Sequence, residues 1–176
     1  MEIQNLPENF EKVILLLAER LKKFQYAFRG TTSLVLQGVQ MNVADIDIVG
    51  DKDTALACND LLAEYLTEEV SFKESEKFKS YFGKFKIKGI LVEVMGEWQI
   101  KDTKGQWSEP FNVSERKLIT FGGSEIYVTP IEEELAVFAK MGRWTAYQKI
   151  NKFVSRKLEI KKQLSSVKKE GQPSLF

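Results

Sequence analysis

Between Ala44 and Gly50 the chain alternates acids with branched apolar residues: Asp45, Ile46, Asp47, Ile48. Period two is the mark of a β-strand, whose successive side chains point to opposite faces. Ile46 and Ile48 therefore predict a buried face, and Asp45 and Asp47 share the other. Aspartate is disfavoured in strands, and two carboxylates this close repel unless something positive lies near them. A solvated edge strand relieves that repulsion in one way, and a divalent cation held between the two acids does so in another.

Composition narrows what the acids can do. The 176 residues, 43% hydrophobic and 29% charged, suit one soluble globular domain. A chain of that length buries roughly 70% of its unfolded surface, so its stability requires neither disulfides nor structural metal. Cys58 is the only cysteine and histidine is absent. Disulfide frameworks, Cys/His zinc sites and histidine-dependent triads are thereby excluded. Carboxylates remain as ligands, and they favour hard ions such as Mg2+ or Mn2+. Met1 to Pro7 shows no secretory pattern, and the longest apolar run, Val13 to Ala18, falls far short of the ~20 residues of a membrane span. A cytoplasmic protein without a membrane partner is expected.

Phe10, Val13, Ile14, Leu17, Leu21 and Phe24 recur at helical spacing, predicting a helix over residues 8–23. A short strand at Tyr26 to Phe28 follows. Gly30, Thr31 and Thr32 then lead into a helix at Ser33 to Gln37, capped by a threonine hydroxyl. After the acidic strand, Asp53 to Leu66 reads as a helix, and Val70 to Ser75 carries no decisive pattern. Tyr81 to Lys88 and Ile90 to Gly96 predict a hairpin turning at Lys88-Gly89. Further strands are expected at Arg116 to Phe121 and Glu125 to Val128. Thr129 and Pro130 suit the cap and first position of a helix whose first turn carries Glu132, Glu133 and Glu134. A last helix runs from about Trp144 to Val167. Residues 1–167 thus form one domain, and residues 168–176 a flexible tail.

Glu93 lies within Ile90-Leu91-Val92-Glu93-Val94-Met95, whose apolar neighbours predict burial, and a buried carboxylate needs a partner. If Lys88-Gly89 is a two-residue turn, Lys84 lies opposite Glu93 and an ion pair supplies that partner. Alternatively Glu93 joins Asp45 and Asp47 as a third acid.

The run Phe28-Arg29-Gly30-Thr31-Thr32-Ser33, then Gln37-Gly38, then Ala44-Asp45-Ile46-Asp47-Ile48, resembles the signature of the polymerase β-like nucleotidyltransferase superfamily. Val92-Glu93-Val94 resembles that superfamily's third acidic strand, and Ile126 to Arg143 the helical close of its small single-domain members. The resemblance covers most of residues 24–144. It implies a mixed α+β fold in which helices flank a central, largely antiparallel sheet and further helices close the C-terminal end. It further implies metal-dependent transfer of a nucleoside monophosphate from a nucleoside triphosphate to an acceptor, whether a small molecule, RNA or protein. In that scheme Gly30 with Thr31 or Ser33 cradles the triphosphate, Asp45 and Asp47 hold Mg2+ or Mn2+, and Glu93 ligates metal and activates the acceptor. Many members have two small residues where this chain has Arg29-Gly30, and a basic residue where it has Gln40, Met41 and Asn42. The alternative is a non-catalytic nucleotide-binding module, antitoxin-like, partnering a separate helical protein.

Lys140 and Arg143, three apart on an expected helix, share a face and either bind phosphates or meet solvent. Trp98, Trp107 and Trp144 either pack or stack a base. Residues 152–170 hold seven basic and two acidic residues, a solvated helix face or a surface for nucleic acid. The final Gln172-Pro173-Ser174-Leu175-Phe176 resembles the short peptides with which replication proteins dock on sliding clamps.

Overall fold

The structure is a computed structural model that describes residues 6–170, with side chains through residue 164. Its helices are α1 (Phe10–Leu21), α2 (Gly30–Leu36), α3 (Lys52–Leu61), α4 (Ile131–Lys140) and α5 (Trp144–Glu170). Its strands are β1 (Tyr26–Arg29), β2 (Asp45–Gly50), β3 (Leu66–Glu74), β4 (Phe78–Ile87), β5 (Ile90–Ile100), β6 (Lys117–Phe121) and β7 (Ser124–Val128). They form one seven-stranded sheet in the order β3-β4-β5-β2-β1-β7-β6. Only the β2–β5 and β1–β7 pairs are parallel, so the sheet is mixed and largely antiparallel, as expected.

The alternation in β2 assigns the two faces as its sequence predicts. Ile46 and Ile48 enter the main core with Phe28, Val92 and Val94, under the apolar sides of α1 and α3. On the opposite face Ala27, Val49, Met95, Trp98 and Ile100 form a second cluster with Val137 and Met141 of the α4 region. A third cluster joins Leu34 of α2, Ile131 and Phe138 of α4, and Ile150 of α5. Cys58 is buried, and that burial pushes its thiol up to about 12, as a core residue and not a nucleophile.

Several element boundaries depart from the sequence reading. The helix expected to reach Leu66 stops at Leu61; its first turn is fixed by Asp51, whose carboxylate accepts from the Thr54 amide at 2.7 Å. Leu66 instead opens β3, which absorbs the segment that carried no decisive pattern. Helix α2 begins at Gly30 itself with no side-chain cap, so no threonine hydroxyl caps it. Helix α4 starts at Ile131, one residue later than expected, and Thr129 donates instead to Phe28 and Glu134. Helix α5 runs through Glu170, three residues into the segment read as tail, and the Gln172–Phe176 peptide lies outside the described residues.

Two glycines let α3 approach the sheet. Gly50 and Gly96 are register partners on β2 and β5. A Cβ on Gly96 would come within 2.6 Å of the Ala55 Cβ and 2.8 Å of the Asp51 carbonyl oxygen. Gly96→Ala is therefore expected to destabilise the fold by about 2 kcal/mol through overpacking against backbone, read as a lower urea midpoint with an unchanged slope.

Candidate active site

Register, more than sequence proximity, assembles the site. Glu68 of β3 lies opposite Lys84 of β4, Lys84 opposite Glu93 of β5, Glu93 beside Asp47 of β2, and Asp47 opposite Arg29 of β1. Register partners share a face, so five charged side chains cross the sheet in one row. The two-residue Lys88-Gly89 turn, with φ of 49° and 85°, fixes the Lys84–Glu93 pairing; both residues sit in the left-handed region that such a turn demands. The ion-pair reading of Glu93 is the one seen, and register also sets the residue beside Asp47. Its Oε1 lies 3.3 Å from Lys84 Nζ, and its carboxylate also stands beside the aspartates.

Asp45, Asp47 and Glu93 line one open cleft of about 600 Å3, within the usual range for small-ligand sites. Arg29, Gly30, Thr31, Phe78, Trp98 and Arg143 line it as well. Phe78 and Trp98 stack with ring centroids 6.1 Å apart, giving the cleft an aromatic wall. Among the three tryptophans only Trp98 reaches it; Trp107 lies under Lys79 and Lys101, and Trp144 is exposed beside Tyr147.

The end of the row is a buried ion pair. Arg29 Nη2 lies 3.4 Å from Glu134 Oε2, with side chains 6% and 2% exposed, and the guanidinium sits 3.6 Å from the centroid of Trp98. Glu134 Oε1 also accepts from the Gly30 amide at 2.8 Å and from the Thr129 hydroxyl. A buried charge needs this degree of pairing to be tolerated. By sequence alone Glu134 reads only as an acid in the first turn of α4, favoured there by the helix dipole. The signal for more was available: Glu134 lies three residues after Ile131 and four before Phe138, within the apolar stripe of α4.

Gly30 is required sterically. Its φ is +60°, and a Cβ there would stand 2.7 Å from Asp47 Oδ2. The other residues expected at phosphate separate. Thr31 lines the cleft, whereas Ser33 is buried and donates to the Thr129 carbonyl at 2.6 Å. Lys140 and Arg143 do not share a helix face, because α4 ends at Lys140; Lys140 lines a separate pocket with Glu109 and Glu133, while Arg143 lines the cleft.

Burial pushes the Asp47 carboxyl up from its ordinary 3.8 to about 7; Arg29 opposes that rise, while Asp45, Glu93 and Glu134 add to it. The site is thus short of positive charge at a facing pair of oxygen donors, a demand that a hard divalent cation meets. Among the described residues no three acidic side chains are drawn to metal-ligand spacing. The donor chemistry therefore fits at Asp45 and Asp47, with Glu93 beside them and tied to Lys84.

A helix-opening glycine turn, an Asp-x-Asp strand and a third acid on the neighbouring strand, in a mixed sheet of this order, define a nucleotidyltransferase of the polymerase β-like superfamily. Within it, the family of aminoglycoside-2''-adenylyltransferases matches residues 12–151, and the chain belongs to that family. Among solved structures, the TM1012 protein of Thermotoga maritima, a presumptive nucleotidyltransferase, superposes with a TM-score of 0.74 and 28% identity, over 89% of this chain and 99% of that one. ANT(2'')-Ia, solved in complex with adenylyl-2''-tobramycin, aligns at 0.50 and 10% identity over 85% and 92% of the two chains. The lincosamide antibiotic adenylyltransferase LnuA, lincomycin-bound, aligns at 0.49 and 17% identity over 76% and 86%. No curated protein matches the chain. No helix among the described residues is long and apolar enough to cross a membrane.

The charge state of Asp47 gives a test of the cation's place. With a folded value near 7 against 3.8 ordinarily, the metal-free fold is favoured by Asp47 fully below about pH 4 and loses that contribution as pH rises through 7. Asp47→Asn should match the wild type near pH 4 and exceed its stability at pH 8 by on the order of 1–3 kcal/mol. Added Mg2+ should reverse the order at pH 8 by stabilising the wild type alone; thermal melts at the two pH values, with and without Mg2+, read both effects.

Proposed function

We propose that the chain transfers an adenylyl group from ATP to a hydroxyl of a small polar acceptor, with Mg2+ or Mn2+ held by Asp45 and Asp47. The observation that carries this reading is the pair of aspartates on one face at an open cleft, one of them left short of positive charge by burial. Membership of an adenylyltransferase family supports adenylate as the group moved, and that family's name supports an antibiotic-like acceptor. The cation would draw charge from the α-phosphate oxygens and from the oxygen that approaches them.

The chain's own groups divide the remaining work. Phe78 and Trp98 offer flat apolar surface to an adenine or an acceptor ring. Glu93, held at the cleft by Lys84, takes the proton of the acceptor hydroxyl. The hydroxyl oxygen forms the new bond to the α-phosphorus, the bond from that phosphorus to the bridging oxygen breaks, and pyrophosphate leaves with the electron pair. Arg29, fixed by Glu134 and Trp98, keeps a positive charge next to Asp47 without entering the reaction.

The test is incubation with Mg2+ or Mn2+ and α-labelled ATP, offering aminoglycosides, lincosamides, tRNA and the protein itself as acceptors. Labelled acceptor and pyrophosphate should appear together. Asp45→Ala and Asp47→Ala should each lower kcat by roughly 10³-fold, and Glu93→Gln by roughly 10²-fold or more. Transfer that survives both aspartate changes would remove them from the chemistry. Binding of ATP without transfer to any acceptor class would favour the non-catalytic module.

A further inference from the structure

The far end of the cleft is shaped by a bulge. Lys79 pairs with Gln99 and Tyr81 with Gly96, so one residue of β4, Ser80, stands against two of β5, Glu97 and Trp98. Glu97 takes a φ of +49°, left-handed backbone that a residue with a side chain adopts only at a cost. Strict alternation after Glu93 and Met95 would put Glu97 on the cleft face and turn Trp98 away. The extra residue reverses that: Trp98 joins Met95 in one apolar cluster, and Glu97 is exposed. An acid is thereby exchanged for an indole in the wall of the cleft.

Beyond Glu93 the floor runs through Met95, its register partner Phe82, and Ser80. Ser80 is 5% exposed, and its hydroxyl has no hydrogen-bond partner among the described residues. No side-chain polar atom among those residues is sealed off without a partner, so this hydroxyl opens on the cleft that Ser80 lines. A hydroxyl so placed takes its partner from whatever fills the cleft. The three floor residues are uncharged, and the charges nearest them in register are paired: Glu93 with Lys84, and Lys73, opposite Ser80 on β3, with Glu68. Glu134 is held by Arg29, and Glu74 is exposed. Ammonium groups laid over Phe82 and Met95 would lose water there without gaining a carboxylate.

We propose that this half of the cleft seats the acceptor and selects an uncharged one, with a hydroxyl at Glu93, an apolar or aromatic body on Phe82, Met95 and Trp98, and a hydrogen-bonding group at Ser80. Two steps of two residues separate Glu93 from Ser80 along the strands, about 13 Å, so the acceptor is elongated. Ser80 is its specificity-determining residue, because a site built to bond a substrate group rejects analogues lacking that group far better than apolar contact does. The inference rests on reading the cleft as the site of nucleotidyl transfer, and it departs from the polycationic acceptor in the family's name.

Calorimetric binding to the full-length chain, loaded with Mg2+ and α,β-methylene ATP, tests it with phenyl β-glucoside and chloramphenicol as uncharged probes and tobramycin as the polycation. The uncharged probes should bind more tightly than tobramycin. Ser80→Ala should weaken at least one of them by about 10-fold and leave the affinity for the ATP analogue as it is, and Ser80→Thr, which keeps the hydroxyl, should restore most of the loss. Tobramycin as the tighter ligand, uncharged probes held equally by Ser80→Ala and the wild type, or no probe bound at all overturns the inference, while uptake of the ATP analogue keeps the reading of the cleft. Weaker binding of the analogue itself in Ser80→Ala gives Ser80 to the nucleotide and overturns the inference as well. A wild-type chain that does not bind the analogue overturns both.

Discussion

The buried pair between Arg29 and Glu134 is the interaction on which the site depends. It joins the end of β1 to the first turn of α4, across 105 positions of sequence, in a place where neither charge could stand alone. Because Glu134 also holds the Gly30 amide, the same pair fixes the turn that abuts Asp47. Remove the carboxylate and three donors lose their acceptor together. Remove the arginine and a row containing Asp47 and Glu93 loses its positive end. Burial of such a pair is seldom a net gain over apolar packing. Its evident effect here is to specify which groups face the cleft.

The row across the sheet follows from two ordinary constraints. A tight hairpin sets β4 against β5, and a parallel crossover sets β5 against β2. Once those registers are fixed, a slip of one residue would turn Asp45 and Asp47 into the core and Ile46 and Ile48 outward. The hydrophobic face therefore guards the position of the acids. Residues that never approach a substrate, Ile46, Val92 and Phe28 among them, hold the polar face in its place.

What the sequence made legible was what local periodicity and turn chemistry encode. The alternation in β2 gave the shared face of Asp45 and Asp47, and Lys88-Gly89 gave the opposition of Lys84 and Glu93. The order of glycine turn, acid pair and third acid gave the superfamily. Less legible were features decided by distant partners. Glu134 reads as a helix-dipole acid until Arg29 and Gly30 are seen to converge on it. Lys140 and Arg143 read as one helical face by their three-residue spacing, although Gly142, which also reads as an interruption, stands between them and α4 ends at Lys140. Leu66 passed for the end of α3 because an apolar residue at helical spacing also suits the start of an edge strand.

The mounting of the Gly30 turn on α4 has a mechanical consequence. Helix α4 presents Val137 and Phe138 to the cleft, and its first turn grips the backbone next to Asp47. One helix therefore supplies both a wall of the cleft and the anchor of the turn that abuts Asp47, so the shape of the cavity and the packing beside its acids share a single support.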